Sequence, residues 1–151
     1  MIAPRRIALI GLLLFAAGSS LSAGVSLAQK SEHKLTLRAI MAELGAEYLR
    51  ATNALMIDDF KELEESARAI QGHPLPDEVV AAIKSKLGKS FRAFERVDEQ
   101  SHQAAGDLAR HAAAKDSIAA AKAFGSLAES CASCHVQFRV LLRPLSDEQP
   151  R

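Results

Sequence analysis

Near its C-terminus the chain runs Cys131-Ala132-Ser133-Cys134-His135, and these are its only two cysteines. No other stretch constrains the fold as strongly. In an α-helix, residues at i, i+3 and i+4 share a face. Helix would therefore set Cys131, Cys134 and His135 together against a single object. The surrounding residues, Ser117 to Leu142, are rich in alanine and leucine with no β-branched run, which favours helix.

The chemistry that needs this spacing is specific. Cys-x-x-Cys followed at once by His is the attachment pattern of a c-type haem. Two thiols add across the two vinyl groups of one porphyrin, and the adjacent imidazole reaches the iron from one side. Other uses of a Cys pair fit less well. A thioredoxin-like redox pair wants a βαβ context, and this region reads as helical. A zinc site usually wants four ligands, and there is no second Cys pair. His33, His73, His102 and His111 are scattered and show no paired ligand spacing. The alternative of another class is a haem-free helical module with a structural or metal-binding Cys pair.

The N-terminus sets the compartment. Arg5 and Arg6 precede an apolar run from Ile7 to Ala17, interrupted only by Gly11, and small residues lead to Ser26-Leu27-Ala28. The uncharged core is short for a membrane span, so residues 1–28 read as a cleaved secretory signal peptide. Cleavage after Ala23 is the weaker option, and an uncleaved anchor is the competing reading. The segment has no cysteine for a lipid anchor, so no stable membrane anchor is expected. Residues 29–151 form one domain, with 17 Lys and Arg against 18 Asp and Glu. That balance gives no support to nucleic-acid binding, which favours a strongly basic domain. Export and a Cys pair suit an oxidising compartment, a bacterial periplasm.

The domain reads as all-α, with four main helices. The first begins near Leu35 or Thr36, with Leu37, Met41, Leu44, Tyr48, Ala51 and Leu55 spaced by fours and threes and Ile40 widening the stripe. Asp58 or Asp59 caps a second helix carrying Phe60, Leu63, Ala67 and Ile70, which Gly72, Pro74 and Pro76 stop. A short helical segment from Asp77 to Leu87 ends at Gly88. Ser90 is expected to cap the third helix, whose seam is Phe91, Phe94, Asp98, Ser101, Ala105, Leu108 and Ala112. The fourth runs from Ser117 to Leu142, with Ile118, Ala121, Gly125, Ala128, Cys131, His135, Phe138 and Leu142 along one face and Pro144 as its breaker. Short turns favour antiparallel neighbours. Lys89, Arg92 and Arg96 form a basic face, read as solvated. His102 and His111 fall beside the core seam.

Cys-x-x-Cys-His-x-x-Phe-Arg, from Cys131 to Arg139, at the end of a helical chain of this length resembles the class II cytochromes c, the cytochrome c′ family. The resemblance spans the mature chain and implies an up-down-up-down four-helix bundle. Arg38-Ala39-Ile40-Met41-Ala42-Glu43-Leu44-Gly45 looks like the low-spin branch, in which a methionine of the first helix is the sixth ligand. It implies one haem c held through two thioethers by Cys131 and Cys134, with His135 as proximal and Met41 as distal ligand. Phe138 and the helix-three aromatics would wall the ring, and Arg38 and Arg139 would meet its propionates. The family often has Arg four residues before the distal position; here Leu37 stands there and Arg38 is three before. His/Met ligation raises the reduction potential and suits one-electron transfer. An apolar-stripe methionine is otherwise usually core filler. The implied role is an electron carrier that meets redox partner proteins, not an enzyme. The other branch is five-coordinate and binds NO or CO. Relatives often pair as homodimers through helices one and two.

Overall fold

The structure, a computed structural model, describes residues 36–147. The signal segment, its cleavage site and the polar tail past Asp147 lie outside the described residues. Those described contain α1 (Leu37–Met56), α2 (Phe60–Gln71), α3 (Asp77–Leu87), a 3-10 turn (Gly88–Ser90), α4 (Phe91–Ala113) and α5 (Ser117–Asp147), with no strand among them.

Local chemistry sets most of the boundaries. Thr36 Oγ1 accepts from Ala39 N at 3.2 Å and opens α1. Asp59 Oδ1 accepts from Glu62 N at 3.1 Å and opens α2, and Asp116 Oδ1 accepts from Ala119 N at 2.9 Å and opens α5. Gly88, at φ +52, ends α3 in a conformation that an L side chain rarely adopts. Two boundary expectations fail. Ser90 makes no capping bond, because the 3-10 turn already leads the backbone into α4. Pro144 does not stop α5, which continues to Asp147. Proline removes one N–H and crowds the carbonyl four residues back. That carbonyl belongs to Val140, so a single backbone bond is lost near the helix end.

The four long helices form a closed ring of neighbours: α1 packs on α2, α2 on α4, α4 on α5, and α5 back on α1. Tight turns at 57–59 and 114–116 make α1 and α2, and α4 and α5, antiparallel neighbours, as in an up-down-up-down bundle. The shorter α3 completes the α2-to-α4 crossover and rests on α4 and α5.

The core has two parts. Nine of the thirteen buried residues in one part are alanines, contributed by α1, α2, α4 and α5 around Leu63, Leu108 and Leu127. The other part has no alanine. Leu37, Ile40, Val79, Ile83, Leu87, Phe91, Phe94, Val97, Phe138 and Leu142 fill it. On α5 the buried line differs from the expected face: Ala120, Ala123, Leu127 and Ser130 are inside, whereas Ile118 is 70% exposed and Ala121 and Gly125 face solvent. Within the alanine-rich start of α5 there is little hydrophobic contrast to fix the rotation about the axis, and close helix contact selects small residues. The polar break at Ser101 in the α4 seam also resolves: its Oγ lies 3.1 Å from Val97 O and 3.0 Å from Ser130 Oγ across on α5.

Candidate functional site

The second core part opens into a cavity of about 530 Å³, within the usual range for a ligand pocket. From α5 it takes Cys134, His135 and Phe138, at successive positions near one helix face. From α1 it takes Leu37, Arg38 and Met41. Phe94 and Asp98 of α4, and His73 and Leu75 of the α2–α3 link, complete the walls. Phe94 meets Phe138 edge-on, centroids 5.6 Å apart at 77°, and Phe91 stacks on Phe94 at 6.2 Å. These rings lock one another, so the apolar wall is rigid.

Of the residues singled out in the sequence, Met41, Arg38, Cys134, His135, Phe138 and Arg139 all line this cavity. Cys131 does not. It is half-buried one turn earlier and packs against the alanine-rich core. Cys134 packs against the other core part, so the Cys pair straddles the junction. The two thiols are not joined in a disulfide. Burial pushes the Cys131 thiol up. Cys134 is pushed up to about 11, chiefly by burial, with Asp98 and Cys131 adding unfavourable charge.

Met41 sits differently from its neighbours on the expected stripe. Ile40, 1% exposed, takes the core position, and Met41, 40% exposed, turns to the cavity. One helical step of 100° separates the two roles. Gly45, one turn on, meets nothing within 4 Å of where a Cβ would stand, so it makes no close approach. Lys89, Arg92 and Arg96 are exposed, as their charge pattern implies.

Several lining residues escaped the sequence reading. Arg143 joins Arg38 and Arg139 around the cavity. Its signal was the i+4 step from Arg139 on the same helix. Asp98 showed only as a polar break in an apolar seam. His73 lies in a link and has no periodic pattern to mark it. With three guanidiniums at its edge and Leu37, Phe94 and Phe138 in its walls, the cavity suits a flat apolar group with acidic substituents. Thiol and imidazole donors from one helix and a thioether from another are a donor set fit for haem c.

A bundle of four long helices with a Cys-x-x-Cys-His pattern on the last, beside an apolar cavity, defines a helical c-type cytochrome. The family model described as Cytochrome C' matches residues 29–139, and the chain belongs to that family. No curated protein and no solved structure gives a match. Membership makes this a haem c-binding protein, of a family whose members carry electrons or bind gases rather than act as enzymes. Such proteins are typically periplasmic. Among the described residues no helix is long and apolar enough to cross a membrane.

Proposed function

We propose that this chain is an exported, monohaem, one-electron carrier of the low-spin branch. The observation that carries the reading is a single cavity bordered by His135 and Cys134 of α5 and by Met41 of α1. Haem c, when bound, supplies an iron that accepts and releases one electron. In this reading Cys131 and Cys134 would anchor the group by thioethers, and His135 and Met41 would be the ligands to its iron. Residues 1–28 direct export and are removed.

The remaining residues tune rather than react. Phe94, Phe138 and Leu142, all buried, exclude water from the ring, which helps to set its potential. Arg38, Arg139 and Arg143 offer positive charge to the propionates. With His135 and Met41 both holding the iron, little room would be left for a substrate, which suits electron transfer.

The test uses mature protein from a host with haem-maturation machinery. A pyridine haemochrome assay should give one covalent haem per chain, and the ferric spectrum should be low-spin. Reduced wild type should resist CO, while Met41→Ala should turn high-spin and bind it. A wild-type ferric spectrum that is high-spin and matches Met41→Ala would instead place the chain in the gas-binding branch. Colourless protein with both thiols open to alkylation would leave the haem-free alternative standing.

A further inference from the structure

Three side chains with no pattern in common along the sequence converge where the end of α2 meets α4. His73, Asp98 and His102 each offer one ligand atom, and these atoms lie within 4.8 Å of one another. All three are partly buried. His73 comes from the α2–α3 link, and Asp98 and His102 are one turn apart on α4.

The hydrogen bonds settle which ring nitrogen faces outward. His73 Nδ1 lies 2.9 Å from Ile70 O, and His102 Nδ1 lies 2.5 Å from Gln71 O. A carbonyl only accepts, so each Nδ1 is the protonated nitrogen. In the neutral rings each Nε2 then holds a lone pair. Histidines that bind metals are held in this way, with the second nitrogen donating to a backbone carbonyl. The two rings stack in parallel, centroids 4.6 Å apart at 4°.

Capping the last carbonyls of α2 would explain the Nδ1 bonds alone. It does not explain the other edge. His102 Nε2 lies 3.5 Å from Asp98 Oδ2. With Nδ1 turned to the carbonyl, either a proton or a cation lies between this Nε2 and the carboxylate oxygen. Ligand atoms around a tetrahedral zinc stand roughly 3.3 Å apart, given metal bonds of about 2.0–2.1 Å. The His102–Asp98 pair, at 3.5 Å, is close to that spacing, and the ligand atom of His73 lies within 4.8 Å of both.

We infer that His73, Asp98 and His102 form a binding site for a divalent transition cation of the zinc type. Two imidazoles and one carboxylate leave a fourth position for water. The ion ties the link holding His73 and Leu75 to α4. His73 and Asp98 also line the cavity, so the site lies in its wall, but none of its three residues is a proposed iron ligand or haem anchor.

The experiment titrates Zn²⁺ into the mature haem-loaded protein, purified without a histidine tag, by calorimetry. Wild type should take up one equivalent. His102→Ala should weaken uptake at least tenfold with an unchanged haem spectrum, and Asp98→Asn should weaken it similarly. His33→Ala and His111→Ala should leave it unchanged. X-ray absorption at the zinc edge should show two imidazoles. The inference is overturned if wild type binds no zinc, which would leave a proton between His102 and Asp98. It is equally overturned if folded His102→Ala and Asp98→Asn, with native helical circular dichroism, bind zinc as wild type does.

Discussion

The two halves of the core contrast sharply. In one, nine of thirteen buried residues are alanine, and the helices close on one another around Leu63, Leu108 and Leu127, each 0% exposed. In the other, three phenylalanines and larger aliphatics hold the helices apart, and a cavity of about 530 Å³ opens between α1, α4 and α5. Side-chain volume explains the difference: small residues let backbones approach, and large ones set walls. The closed half supplies stability, and the open half supplies a site. The motif from Cys131 to His135 sits on the boundary, one thiol packed against each side.

The contrast can be broken at its boundary. Replacing Cys131 and Cys134 together with Ala should remove covalent haem entirely, read as loss of the pyridine haemochrome signal, while far-UV circular dichroism remains helical. Within the closed half, Leu108→Ala should cost about 2–5 kcal/mol, because packed helices collapse poorly onto a new cavity; urea denaturation measures it. Ala105→Leu, also 0% exposed, should cost about 1–3 kcal/mol by overpacking. A comparable enlargement at Ala42, which lines the cavity, should cost clearly less.

The smallest effect is confined to alkaline pH. Cys134, pushed up to about 11 from an ordinary 9.0, holds its proton in the folded haem-free chain where the unfolded chain has lost it. Stability therefore falls as pH rises from 9 toward 11. Denaturation midpoints of haem-free protein should drop across that window, and less so in Cys134→Ala. In the haem-loaded protein a thioether has no proton to lose, and the Cys134 contribution should vanish.

Much of the fold was legible in the chain. The 3-4 spacing of Leu63, Ala67 and Ile70, a cap at Asp59 (one of the two aspartates offered) and the stop at Gly88 come from local chemistry, and they hold. The start of α5 was not legible, because a run of alanines has no hydrophobic contrast to fix which side is buried. Ser90 misled because a cap depends on the incoming backbone. Pro144 misled because a proline near a helix end leaves only one backbone bond unmade.

Cys131, Cys134 and His135 were legible because their chemistry fixes both type and spacing. Met41, Arg38 and Arg139 were reached through resemblance, and they line the same cavity. His73 and Asp98 were not recognised as ligands: His73 lies in a link outside any helical period, and Asp98, on the α4 seam, gains its meaning only beside His73.

The sequence by itself determined the helices, most of their ends and the thiol–imidazole motif, because these depend on neighbours within about one turn. Tertiary structure alone decided that Met41 and not Ile40 meets the cavity, that Arg143 joins Arg38 and Arg139, and that His73 reaches His102. Those outcomes depend on how helices rotate and approach one another. That is fixed by the volumes of side chains far apart in the chain, which no local pattern encodes.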